Sequence, residues 1–311
     1  MRSHLFTGLA LAAIAGPAMA QGLPDGFTLS GHIEVEGIAF DYPDDTDQEI
    51  FGIGTVDLGF AQPGGGFGGF IGFDGMAYDS DFAETQLALY GALSYSANFG
   101  RVQIGIPRAA LGDYIKTPAI GGLNEYDFRL GEVRGNSLPV FYVYRDIPAP
   151  LGIRYDGGFG RTIYGASYHA VQFDDADVNV LTFGVAHQLG LAELRGGLEH
   201  FIYDGGNDTN FYAGLENTFG SYVTGLMYSD LNRFGDTFMI EAYGQYQMSD
   251  ALELSLTYMY LRDPNDSRTT QNLIGLAAEY SLQSDLFVEA GIVRDIEYEG
   301  TVLNASFGID F

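Results

Sequence analysis

Fourteen lysines and arginines serve the 311 residues of this chain, and eight of them stand between Arg101 and Arg161. They are Arg101, Arg108, Lys116, Arg129, Arg134, Arg145, Arg154 and Arg161. No lysine or arginine lies between Gln21 and Gly100. Within the same window, the stretch from Arg108 to Leu138 carries the acids Asp113, Glu125, Asp127 and Glu132. It runs for roughly thirty residues without a regular pattern, and unstructured connections that long are usually functional. Mixed charge at this density can hold, orient or screen charged molecules.

Other chemistries find less support. Nucleophilic catalysis needs a serine or aspartate beside a histidine with a third, orienting group. No G-x-S-x-G elbow is present, although a triad assembled from distant segments would escape this reading. His32, His169, His187 and His200 are scattered, with no H-E-x-x-H zinc motif. The aspartate-rich segments lack the full spacing of a calcium loop and read as solvated turns that bridge divalent ions loosely. GGGFGG has no lysine and sits in a turn, so it is no phosphate loop. Cysteine is absent, which removes disulfides and thiolate metal sites. No catalytic residue, metal or cofactor is expected. The formal charge of −27 also argues against nucleic acid, whose phosphates call for basic patches.

The elements that would position these charges are strands. From Gly26 onward, segments of about ten to fourteen residues alternate apolar and polar side chains, the length that crosses a membrane as a tilted strand. In TVLNASFGIDF, Leu303, Ala305, Phe307, Ile309 and Phe311 share one parity, and Asn304, Ser306 and Asp310 the other. FTLSGHIEVEG and ALELSLTYMY repeat the pattern, which places Glu34 and Glu36 opposite Ile33 and Val35. Acidic loops alternate with tight turns of Gly, Asn, Asp and Ser, residues that tolerate positive φ or cap their own backbone. Strand starts near residues 26, 48, 67, 84, 101, 139, 161, 179, 191, 209, 221, 237, 251, 270, 286 and 301 make sixteen strands. The sixth, VFYVYRDIPAPLGIRYDG, is interrupted by Pro148 and Pro150 and reads as one strand or two pieces.

A soluble sandwich would bury the apolar parity between two sheets, whereas a membrane barrel turns it to lipid and lines its lumen with the polar parity. Three features favour the barrel: ionisable groups in mid-strand (Glu34, Glu36, Asp57, Asp74), aromatics near strand ends, and short turns alternating with longer loops. An even strand count puts both termini on one side, and in lipid the sheet has to close. Residues 1–20 read as a secretory signal peptide. Arg2 and His4 open it, Leu5 to Ile14 form an apolar stretch, and Ala18-Met19-Ala20 is a cleavage site. The expected fold is all-β: a single antiparallel up-and-down transmembrane barrel over residues 21–311.

The signal peptide, the sixteen strands, "FGRVQIGIPR" leading into one long loop, "GIRYDGGFGRTIYGASYH" after it and the terminal Phe311 resemble the Gram-negative general-diffusion porins. The resemblance implies an outer-membrane channel for passive diffusion of small hydrophilic solutes and ions, built as a homotrimer. It implies that the long third loop folds into the pore, with its acids facing wall arginines. The constriction would then draw on Asp113, Lys116, Glu125, Asp127, Arg129, Glu132 and Arg134. Early strands lack the family's wall arginines, so the basic wall would come from Arg154 and Arg195, both on the polar parity. Arg129 and Arg134 could instead pair within the loop. Phe311 would be the signal read by the barrel-insertion machinery, and lipid and lipopolysaccharide would surround the barrel. The lumen acids Glu34, Glu36, Asp57 and Asp74 point to a preference for cations. The alternatives are a sugar- or nutrient-selective porin, a barrel hydrolase and a plugged structural barrel.

Overall fold

The computed structural model describes residues 23–43, 45–78, 85–124, 130–138, 142, 149–173, 176–234, 237–262, 270–282 and 285–311. Sixteen antiparallel strands account for most of them. The first five are β1 (Phe27–Tyr42), β2 (Asp45–Ala61), β3 (Gly66–Tyr78), β4 (Thr85–Ala97) and β5 (Gly100–Ile106). After a long connection come β6 (Leu151–Phe159), β7 (Thr162–Phe173), β8 (Ala176–Leu189), β9 (Ala192–Tyr203) and β10 (Gly206–Phe219). The last six are β11 (Tyr222–Leu231), β12 (Thr237–Ser249), β13 (Leu252–Arg262), β14 (Gln271–Ser281), β15 (Leu286–Asp295) and β16 (Thr301–Asp310). Each pairs with its neighbours in sequence, and β16 returns to β1, so the sheet is a closed barrel with no free edge.

Alternation sets which side faces where. On β16, Leu303 is 52% exposed while Asn304 is 6% exposed, and Phe307 and Ser306 repeat the contrast. Leu93, Ile104, Ile153, Leu226, Leu256 and Leu276 also stand exposed around the outside. An apolar belt of this extent is an interaction surface, and lipid satisfies it.

The seam between β1 and β16 runs from His32↔Asp310 to Asp41↔Thr301. Phe311 extends it by one step, donating its N–H to the Gly31 carbonyl (3.0 Å) and accepting from the Gly31 N–H (2.7 Å). Its ring lies over Gly31, where a Cβ would come within 2.7 Å of Phe311 Cζ. The terminal aromatic therefore fills a hollow that glycine leaves on the adjacent strand.

Among the described residues β5 ends at Ile106 and β6 starts at Leu151; residues 139–141 and 143–148, which hold the expected start of strand six, lie outside them. Proline explains both limits, because it has no N–H to give the ladder. Pro107 stops β5 after seven residues, and Pro150 immediately precedes the nine-residue β6. The flanking strands β4 and β7 have 13 and 12 residues. The connection thus leaves the wall part-way up, within reach of the barrel's inner face. The signal peptide and several acidic turns (79–84, 174–175, 263–269) lie outside the described residues.

Candidate functional site

The described parts of the β5–β6 connection are tied to the inner wall at many points. Near its start, the Ala110 N–H donates to Ser167 Oγ on β7 (3.1 Å) and Thr182 Oγ1 on β8 (3.2 Å). The Pro107 carbonyl lies 2.8 Å from His169 Nε2, also on β7. Leu111 packs where Gly197 has no side chain, and Tyr114 where Gly184 has none. Burial first, then Asp156 and Asp113 against the relief given by Arg154, push the Tyr114 hydroxyl up to about 12. Further along, Ser137 Oγ donates to Glu199 on β9 (2.9 Å), and Arg134 pairs with Glu241 on β12.

A tight turn at Ile120–Gly122 sits against β13, β14 and β15. The Gly121 N–H donates to Thr257 Oγ1 on β13 (3.0 Å), and Asn304 Nδ2 on β16 donates to the Gly122 carbonyl (2.6 Å). The approach is backbone to backbone: a Cβ on Gly275 would fall 2.7 Å from Gly121 Cα. Gly121 itself has φ +57, which glycine adopts without strain. Asn124 Nδ2 then donates to both carboxylate oxygens of Glu34 on β1 (3.0 Å each).

The charged residues singled out from the sequence fall into place as follows. Arg154 points inward and is buried, with Nε donating to Asp156 (2.9 Å), Nη1 to the Ala109 carbonyl (3.3 Å) and Nη2 pairing with Asp113. Lys116 is 3.7 Å from Asp113, with its side chain 73% exposed. Arg195, also inward, pairs with Glu193 (2.6 Å) and Glu216 (2.7 Å) and donates to the Lys116 carbonyl (3.1 Å). Glu36 accepts from Asn304 Nδ2 (2.8 Å). Arg134 is joined to a wall acid rather than to an acid of its own loop. Glu125, Asp127, Arg129 and the side chain of Glu132 lie outside the described residues.

Sequence reasoning missed the role of Arg108, which it placed only as the start of the connection. Its Nη1 donates to both oxygens of Asp57 on β2 (2.7 and 2.8 Å), and Nη2 to Asp74 on β3 (2.5 Å). The guanidinium also stacks on Tyr90, 4.6 Å from the ring centroid. Burial works against its charge, but Asp74 and then Asp57 outweigh that and hold its pKa above the ordinary arginine value. Pro107 was the available signal: a strand cut short there leaves the next side chain free to turn sideways. Asp57 and Asp74, which lie on strands without lysine or arginine, share this arginine. At Arg108 and Arg134 the connection supplies the cation and the wall the acid. Only at Asp113–Arg154 is a loop acid set against a wall arginine in the described pairs.

Three cavities border these groups. One of about 430 Å³ lies between the connection and β2–β3, next to Asp74, Arg108, Asp113 and Lys116. A second, of about 410 Å³, lies nearer the end with the short turns and is lined by Asp57, Arg101, Arg108, Asp113 and Arg154. The third, of about 230 Å³, is acidic: Glu34, Glu253, Glu279, Glu289 and Asp310 line it, with His32. Glu253, Glu279 and Glu289 stand directly across from one another on β13, β14 and β15. Among the described residues no three carboxylates or histidines converge as a metal site.

This architecture has known counterparts. No curated protein sequence matches the chain. Among solved structures it is similar to an engineered Rh. blastica porin, at 15% identity and TM-score 0.62, covering 92% of this chain and 100% of that one. It is also similar to Salmonella typhi OmpF in complex with daunomycin, at 13% identity and TM-score 0.67, covering 92% and 98%. At these identities the likeness shows a shared fold. The family model described as Gram-negative porin matches residues 7–300. With the strands closed, the apolar side outward and the charges inward, the chain belongs to the Gram-negative porin family and is an integral β-barrel of the outer membrane.

Proposed function

We propose that the protein is a general-diffusion porin with a preference for cations, narrowed by the β5–β6 connection. Small hydrophilic solutes and ions pass through its water-filled lumen without chemistry or cofactor. The ties from Ala110 to Asn124 and from Arg134 to Ser137 support a connection that lies inside the pore.

One observation carries the cation preference. Arg108, Arg154, Arg195 and Arg134 are each engaged by one or two carboxylates. The row Glu253–Glu279–Glu289 has no arginine or lysine among the described residues lining its cavity. Like charges directly opposite on neighbouring strands repel, and mobile cations in the lumen relieve that repulsion. Walls of low dielectric focus the resulting negative potential.

The test is the reversal potential across a planar bilayer holding the purified protein in a potassium chloride gradient. A sign reporting cation flow is expected, and anion preference overturns the reading. Homotrimeric assembly, with Phe311 as the mark read by the insertion machinery, belongs to the same proposal. Conductance steps in groups of three support it, and single independent steps oppose it.

A further inference from the structure

Where the sheet closes, the first and last strands meet at a histidine. His32 stands opposite Asp310 in the β1–β16 ladder, and its ring lies between two carboxylates. Nδ1 is 2.8 Å from Asp310, and Nε2 is 3.1 Å from Glu34, two residues along β1. An ionised carboxylate only accepts, so both ring nitrogens must donate, and only the imidazolium has two N–H groups. Phe287 of β15 holds the ring in place, stacked on it with the centroids 5.6 Å apart. Phe287 in turn lies over Gly308 of β16, where a Cβ would come within 2.2 Å of its Cζ.

Glu34 also faces the connection. It is 2% exposed, and both its oxygens accept from Asn124 Nδ2. Asn124, Pro118 and Ala119 close one side of the acidic cavity that His32 borders. The other charged groups around the imidazole, among the described residues, are acids. Glu36 follows on β1, and Asp57, already engaged by Arg108, stands two residues beyond Thr55, the β2 partner of His32. Glu253, Glu279 and Glu289 complete the cavity from β13, β14 and β15. A hydrogen-bonded chain thus runs from Asp310 on the last strand, through His32 and Glu34 on the first, to Asn124 on the connection.

We infer that His32 is a positioning residue, a proton-dependent latch at the closing seam that keeps the connection seated on the wall. The charged ring cancels the charge of Glu34 and lets Asn124 cover it. Without that proton, Glu34 becomes an unneutralised buried carboxylate beside other acids, which is costly unless water reaches it. The strands are fixed by their ladders, so the cover that gives way is the connection. This goes beyond the channel reading, since it places control of the connection at the seam.

The sequence has no cysteine, so Leu123→Cys is the sole target for a water-soluble thiol reagent. Leu123 adjoins Asn124 and is 2% exposed, and its labelling rate reads how often the connection lifts. Loss of one charge-assisted hydrogen bond at a partly exposed site shifts an equilibrium about tenfold, so His32→Gln in this parent should speed labelling about tenfold at neutral pH. Adding Glu34→Gln to His32→Gln should restore the slow rate, because a neutral amide needs no counter-charge. Raising the pH to about 10 should likewise speed the parent about tenfold relative to Glu34→Gln alone, whose rate corrects for titration of the thiol. This second comparison stands whether or not His32→Gln folds. Equal rates for the parent and His32→Gln in folded barrels, no rescue by Glu34→Gln, or a ratio of parent to Glu34→Gln that ignores pH overturns the latch alone. Labelling does not measure current, so a latch that behaves as expected in a protein that inserts and never conducts refutes the channel reading instead.

Discussion

Replacing Gly291 by alanine separates the stability of the barrel from the seating of its connection. Gly291 lies in β15, opposite Ala277 and Asn304. A Cβ there would sit 2.6 Å from Asn304 Oδ1 and 2.8 Å from the carbonyl carbon of Gly121, with the Gly121 oxygen closer still. Real Cβ atoms do not tolerate such distances, and the obstacle is backbone, so the turn at Ile120–Gly122 has to lift. Lifting breaks the bonds from Gly121 to Thr257 and from Asn304 to Gly122. At roughly 0.5–1.5 kcal/mol each, their loss shifts the docked equilibrium by about 1–3 kcal/mol, or roughly 5- to 150-fold. The strand itself loses nothing, since alanine is about 0.5–1 kcal/mol better than glycine within an element. Gly37→Ala is the control, because its nearest neighbour would be the Ala305 carbonyl at 3.8 Å. Single-channel recording and liposome swelling with sugars of graded size should show a noisier channel and a larger size limit for Gly291→Ala only. The denaturation midpoint should be unchanged or slightly raised. If Gly291→Ala conducts and sieves like Gly37→Ala, the docked turn does not define the pore, and the reasoning fails.

Four further outcomes follow from the same geometry. Arg154→Ala removes the buried cation that joins Asp113 and Asp156, leaving them only the more exposed Lys116 and Arg101, and should cost about 3 kcal/mol in detergent-micelle denaturation. Arg101→Ala, whose side chain is half exposed beside Asp156, should cost at most about 1 kcal/mol. Raising salt from 0.1 to 1 M shortens the screening length from about 10 to about 3 Å, so the cation preference should shrink; a constant permeability ratio would point to sieving by size. Phe311→Ala uncovers Gly31 at the seam and should cost about 1 kcal/mol, read as an earlier loss of the compact band on heated gels.

What the sequence reveals of this molecule tracks the range of the interaction involved. Strand alternation is local, so β1, β13 and β16 stand out in the letters, and closure follows from the length of the pattern and the demands of lipid. FYVYRD, after Leu138, has strand-like composition, but apart from Tyr142 it lies outside the described residues, and β6 is described from Leu151. Arg108 illustrates a harder limit. Its partners lie 51 and 34 residues earlier, and Arg134 meets Glu241 across 107 residues. Parity correctly places Arg154 and Arg195 on the inner face, yet parity carries no information about which loop atom a wall residue will meet.

The glycines sharpen the point. Gly275 and Gly291 look in the sequence like weak points within strands. In the barrel they admit the backbone of Gly121, and a residue with any side chain at either position would hold the connection away from the wall. The proposed narrowing of the pore then rests on missing atoms on β14 and β15 as much as on charged side chains. Early strands with no lysine or arginine are consistent with that arrangement. With the connection seated on the far side, Asp57 and Asp74 need only one cation, and Arg108 brings it from the connection itself.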